Sequence, residues 1–311
     1  MSGNGQAAGA TGWRAGGMGW RDGDAVMEWV PARRGQRARA SGLALGAEPA
    51  FLVGEDRRCL GVWRAGRRVP CAQGAALPPQ ARSGQCPECT ALDRSNSIAA
   101  DTRPDDPRPF AVYLAHHGSA VKVGITAVER GTARLLEQGA LASLFLSSGT
   151  LMSARRSEHV LGAALGLPDR VATPRKRDAR RRPGTADGRA AELGALAERV
   201  RTLSDWPPAG QQPRDPQVTD HAAAYGLPDD GLHPRAAVAP LCPGSTVAGR
   251  VACRIGTDLY LDDAAGAPGL VLLDTRRLTG WSLQPAEPGA RRTASLDALP
   301  AGPRHDAEPL F

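Results

Sequence analysis

Four cysteines carry the plainest chemistry in this chain. Cys86-Pro87-Glu88-Cys89 is a C-x-x-C knuckle, a tight turn that sets two thiolates on one face. Zinc takes four ligands in a tetrahedron, and Cys59 and Cys71 supply the remaining two. Eleven residues separate them, so they must come from two separate strands or loops rather than from a second knuckle. Arg57-Arg58 precede Cys59 and Arg68-Val69-Pro70 precede Cys71, a basic setting that favours thiolate. The segment reads as a structural zinc site. Disulfides and free thiols are the competing readings. The chain shows no signal peptide and no long apolar run, so it reads as cytoplasmic, without a membrane partner, where disulfides are disfavoured. A redox C-x-x-C is set aside because the knuckle is not expected to open a helix after a strand. Cys242 and Cys253 read as free cysteines.

A second group of reactive residues lies between Phe110 and Ala140, FAVYLAHHGSAVKVGITAVERGTARLLEQGA. Phe110 to Ala115 is apolar and β-prone, His116-His117-Gly118-Ser119 is a turn cluster, and Ala120 to Ile125 alternates again. Ala127 to Gln138 has helical spacing. A later helix begins with Ser153 as a plausible N-cap and carries Val160, Leu161, Ala164 and Leu165 at helical spacing, with Glu158 inside it. Within this strand–turn–strand–helix frame sit Ala111-Val112-Tyr113, Lys122-Val123-Gly124 and Arg134.

These motifs resemble those of the GIY-YIG nuclease superfamily, in which two short motifs lie on neighbouring strands of a hairpin and an arginine follows on the first helix. Tyr113 matches the first motif's tyrosine, Gly124 the second motif's glycine, and Arg134 the helical arginine. The ending R-L-x-E-Q-G-A also resembles an uncharacterised bacterial domain-of-unknown-function family with cysteines upstream. The resemblance implies a metal-dependent phosphodiesterase. Tyr113 would help activate water, Arg134 would bind phosphate, and Glu158 would hold one divalent metal, magnesium or manganese. Lys122, Arg130 and Arg134 would contact nucleic acid. Three positions depart from the pattern: Ala111 replaces a glycine, Lys122 replaces the second tyrosine, and Gln138 stands where many members carry histidine or tyrosine. Two rival readings follow: a nuclease-derived protein that binds nucleic acid without cutting it, and a catalytically inactive, zinc-containing protein-interaction module. There is no Walker motif, no GxGxxG after a strand and no serine nucleophile elbow, so kinases, dehydrogenases and α/β-hydrolases have no support.

The net charge of +7 over 311 residues suits a polyanionic partner. Part of it reflects the bias of a GC-rich genome: of 39 basic residues only Lys122 and Lys176 are lysine. Aromatic content is 4%, and 26 prolines with 37 glycines point to much irregular chain.

The elements that must position these residues divide as follows. Residues 1–38 read as disordered, with Trp13 and Trp20 isolated in polar sequence. Residues 39–100 form a β-rich four-cysteine segment, and 101–172 the GIY-YIG-like α/β unit. Residues 173–245 read as a basic linker through Arg175 to Gly188, an amphipathic helix over Arg189 to Leu203, and a loose Pro- and Gly-rich stretch. Residues 246–284 read as a β-meander that packs on the zinc segment, and 285–311 as a disordered tail. The expected class is α+β, a hairpin–helix unit combined with a small β-rich zinc module.

Overall fold

A computed structural model describes residues 12–32, 37–64, 67–95, 106–204, 206–262, 269–287 and 289–299. The N-terminal eleven residues, Arg33-Arg34, most of the connector before Phe110 and the last residues of the tail lie outside this set.

The chain opens on a hairpin, β1 (Trp13–Arg21) and β2 (Asp24–Pro31), where sequence predicts disorder. Asp22 and Gly23 both take positive φ, 51° and 87°, the two-residue turn whose twist matches paired strands. Met18, Trp20, Ala25 and Met27 are buried, and Trp20 donates its indole N–H to the Gly256 carbonyl at 2.9 Å. The tryptophan looks isolated in sequence only because its partner lies far down the chain. Next come β3 (Arg39–Gly42), β4 (Ala50–Arg57), the short pair β5 (Val62–Arg64) and β6 (Arg67–Val69), and α1 (Pro87–Ser95). The central unit runs β7 (Phe110–His116), β8 (Val121–Ala127), α2 (Ala133–Gln138), β9 (Ala142–Gly149) and α3 (Leu151–Leu165).

The remainder is more ordered than its composition suggests. The stretch expected as a basic linker contains α4 (Thr173–Ala179), and α5 (Ala186–Arg201) starts before the expected helix. The Pro-rich segment contributes β10 (Gln211–Pro213), β11 (Thr219–Asp220), α6 (Ala222–Tyr225) and β12 (Ala236–Val238). Then follow β13 (Thr246–Ala248), β14 (Arg250–Ile255), β15 (Asp258–Asp262), β16 (Leu270–Asp274), β17 (Trp281–Pro285) and β18 (Leu296–Ala298), the last within the expected tail.

Three larger sheets result, and the class is α+β with mostly antiparallel pairing. The first has the order β13-β4-β17-β1-β2-β3, the second β10-β9-β7-β8 with β11 also on β9, and the third β14-β15-β16-β12-β18. The meander is therefore part of its own sheet. It shares a core with the N-terminal sheet (Trp20, Met27, Val53, Tyr260, Leu272 and Trp281 belong to one cluster), whereas the cysteines form a separate small cluster. The segment of residues 39–100 meets the meander through β4, which pairs with β13 and β17 and brings Val53 into the shared core, while the four cysteines stand apart from that core.

The second sheet positions the candidate site. Along β7 and β8 alternate residues take opposite faces. Phe110, Val112, Leu114, Val121 and Val123 join a core with Leu161 of α3 and Leu193 and Val200 of α5. Tyr113 and Ala115 face the other way, against Leu135 of α2 and Phe145. The helix expected over Ala127 to Gln138 is shorter than its spacing suggests. Gly131, at φ 46°, separates a 3₁₀ turn over Val128–Arg130 from α2.

Candidate functional site

The four cysteines expected to bind zinc are brought together. Their sulfurs all lie within 4.8 Å of one another, and none forms a disulfide. Four sulfurs at about 2.3 Å from a tetrahedral centre would sit about 3.8 Å apart, so the cluster needs little adjustment to hold a metal such as zinc. Backbone N–H groups of Gly61 and Cys86 point at the Cys59 sulfur, at 3.4 and 3.2 Å, the kind of support that stabilises thiolate. Contacts from the backbone of Ala75 bring the Cys71 thiol down to about 7. The knuckle opens a helix, α1, but that helix follows a long loop after β6 rather than a strand, unlike a redox C-x-x-C. What further separates it from a redox pair is the other two sulfurs, which β4 and the loop after β6 deliver to the same point.

The second site is a cleft of about 1080 Å³ along the β8 edge, between α2, α3 and the start of α4. Tyr113, Lys122, Arg130, Arg134 and Glu158 all line it. Tyr113 and Gly124 face each other across the β7–β8 ladder. A Cβ on Gly124 would lie 2.5 Å from Tyr113 Cζ, so glycine is what lets the ring lie across the neighbouring strand. Gly124→Ala is expected to displace that ring and cost about 1–3 kcal/mol, the usual penalty of overpacking, read as a lower melting temperature. A Gly124→Ala variant that melts with wild type would mean that the ring has other room.

Gln138, at the end of α2, donates from Nε2 to the Tyr113 hydroxyl at 2.9 Å. The phenol oxygen is thereby an acceptor on the protein side. Arg130 spends its guanidinium on both oxygens of Glu137, at 2.6 and 2.7 Å. Arg134 reaches the same carboxylate only at 3.7 Å and has 46% of its side chain exposed, so it remains available to an anion. Glu158 is half-buried, and among the described residues it makes no hydrogen bond and no ion pair. Burial raises its carboxyl above the usual range, and the nearby Lys122 opposes that rise. One carboxylate open to a cleft, with Asp169 also on its wall, fits a divalent cation that keeps most of its waters. Burial raises the Tyr113 phenol, against the Gln138 hydrogen bond.

Sequence reasoning missed Lys176. It sits in the run Arg175-Lys176-Arg177, which reads as a solvated linker or a phosphate-tracking tail, but it lines the cleft and donates to the Gln138 carbonyl at 2.7 Å. Two arginines of this stretch, Arg177 and Arg180, are not free to track phosphate. Arg177 bonds Asp258 and Asp274, each at 2.9 Å, and Arg180 bonds Asp258 at 2.6 Å. Asp258 is 1% exposed, at the start of β15. The C-terminal sheet thus clamps α4 against the cleft. Removing a single partner strands buried charge, so Asp258→Ala is expected to cost about 3 kcal/mol in chemical denaturation. A variant within 0.5 kcal/mol of wild type would show the clamp to be dispensable. The available signal in the sequence was that a chain so poor in lysine placed one here.

No curated protein and no solved structure matches this chain. A family model described as "Protein of unknown function (DUF2797)" matches residues 50–283, from β4 through the four cysteines and the cleft to β17.

Proposed function

The chain belongs to this family of unknown function, and from its cleft we propose that it is a GIY-YIG-like, metal-dependent phosphodiesterase acting on nucleic acid, with a structural zinc in the four-cysteine cluster. The observation that carries this reading is convergence. Tyr113 from the first strand of the hairpin, Arg134 from the first helix and Glu158 from a later helix line one cleft, with Lys122 beside them. Those are the placements that the superfamily resemblance requires. Six basic side chains and two acidic ones surround the cleft, which suits a phosphate backbone.

In this reading Arg134 and Lys176 hold the phosphate, and Phe110, Ile125 and Ala127 give the cleft an apolar wall. Tyr113 is placed for proton transfer. Glu158 would hold a magnesium or manganese ion, which when bound supplies charge stabilisation at the phosphoryl oxygens. Cys59, Cys71, Cys86 and Cys89 would hold zinc, which closes the segment between β4 and α1.

The test is purified protein on a panel of DNA and RNA structures with magnesium or manganese, together with elemental analysis of the same preparation. Arg134→Ala is expected to weaken binding and to flatten the slope of log affinity against log salt by about one unit. Wild-type protein that neither cleaves nor retains nucleic acid at low salt would leave the zinc-containing interaction module as the reading.

A further inference from the structure

The cleft holds both lysines of a chain that uses arginine at every other basic position. For gripping phosphate, guanidinium is at least as good as ammonium, because it binds in two-pronged fashion and stays charged. A chain with this bias needs no lysine for charge alone. What arginine cannot do is surrender its proton. The position of Lys122 sharpens the point. The residue is 8% exposed, and its amine lies 5.6 Å from the centre of the Tyr113 ring, where the superfamily pattern has a second phenol. Its hydrogen bond, to the Asp169 carbonyl, is long at 3.3 Å. No ion pair joins it to Glu158 among the described residues.

We propose that Lys122, not Tyr113, is the proton acceptor of this cleft, and that Tyr113 is its proton donor. The assignment rests on the phosphodiesterase reading and names which residue moves which proton. The oxygen of the attacking water forms the new bond to phosphorus while its proton passes to the amine lone pair of Lys122. The bond from phosphorus to the leaving sugar oxygen breaks with its electron pair on that oxygen, and the Tyr113 hydroxyl protonates it. The Lys122 ammonium then returns a proton to the phenolate, and one water has been consumed.

The surroundings drive the two groups in opposite directions, which is how one site separates an acid from a base. Burial, then Arg134, pushes the Lys122 amine down to about 8, so part of it is free amine near neutral pH. Burial pushes the Tyr113 phenol up, so it stays protonated. The charged and titratable groups around Lys122 are Tyr113 of β7, His117 of the β7–β8 turn (buried and held neutral), Arg134 of α2, Glu158 of α3, Asp169 and Arg170 of the following loop, and Lys176 of α4. Lys176 is held down to about 8 by burial and then by Lys122 itself, so the two amines discourage each other from charging.

The experiment compares two substrates with manganese, using the full chain: an oligonucleotide, whose sugar leaving group needs a proton, and bis(p-nitrophenyl) phosphate, whose leaving group does not. Tyr113→Phe should lose about 10²–10³-fold on the oligonucleotide and less than about tenfold on the aryl diester. Lys122→Arg, which keeps the charge, should lose about 10²–10⁴-fold on both while still binding the oligonucleotide. Lys122→Met, of similar length, should lose both cleavage and some affinity. Wild-type cleavage of the aryl diester should rise with pH and level off near 8, and that limb should vanish in Lys122→Arg. If the buried site rejects both Lys122 variants, as melting would reveal, the wild-type pH limb and the two-substrate behaviour of Tyr113→Phe still decide. Lys122→Arg with wild-type activity, or Tyr113→Phe equally impaired on both substrates, would overturn the assignment. Wild-type protein inert toward both substrates would instead overturn the phosphodiesterase reading, and this assignment with it.

Discussion

Glu158→Ala is expected to abolish metal-dependent cleavage while leaving nucleic-acid binding intact. The carboxylate faces the cleft from α3 without an ion-pair or hydrogen-bond partner among the described residues, so its removal breaks no hydrogen bond and opens no apolar core. If Glu158 holds the proposed catalytic cation, its loss should slow the chemical step by about 10⁴-fold, about 5.4 kcal/mol. Binding should hold or tighten, because a negative charge that repels phosphate has been taken from an otherwise basic cleft. Single-turnover cleavage and a low-salt titration on the same preparation separate the two effects. Loss of binding together with cleavage would place Glu158 in the scaffold. Retained cleavage would remove it from the site altogether.

Cys86→Ser is expected to remove one ligand of the proposed zinc site and unfold the segment between β4 and α1. Cys59, Cys86 and Cys89 are all buried, and the cluster they form with Val62 and Leu77 is small. So few apolar side chains cannot offset the backbone entropy of the long loops they gather. In small zinc modules metal binding itself contributes about 10–16 kcal/mol to folding, so one missing ligand removes most of the local stability. The expected signs are stoichiometric zinc in wild type, sub-stoichiometric zinc in the variant, and protease cleavage confined to residues 58–95. A strong chelator should reproduce them in wild type. Wild-type protein without metal and with an unchanged melting curve would refute the site. The damage should stay local, because the cleft core of Phe110, Leu114, Leu161 and Leu193 is a separate cluster.

Much of the cleft was legible in the sequence because its residues lie close together along the chain. Tyr113 and Gly124 belong to one hairpin, whose register follows from a short turn and from alternation along two strands. Arg134 and Glu158 sit on the next two helices at spacing that sequence displays. The cysteines were legible for a different reason, since thiolate chemistry singles them out even when their backbone traces cannot be drawn. Even so, local pattern overran its warrant at Gly131, where a helical run hides a break. The Asp22-Gly23 turn was a signal present in the sequence and unused: such a dipeptide between Trp20 and Ala25 marks a hairpin even in Gly-rich surroundings.

By itself, then, the sequence determined the α+β class, the order of elements through the cleft, and the residue types able to move protons, grip phosphate and hold metal. Only the tertiary structure decided that Trp20 has a partner in Gly256, that β4 pairs with β13 and β17, and that the C-terminal sheet grips α4 so that Lys176 enters the cleft. Each of these is a contact between segments tens to hundreds of residues apart. A solvated arginine run and a buried clamp have the same local spelling. What distinguishes them is the carboxylate waiting on another sheet, and which segment meets it is settled by burial of the whole apolar surface at once.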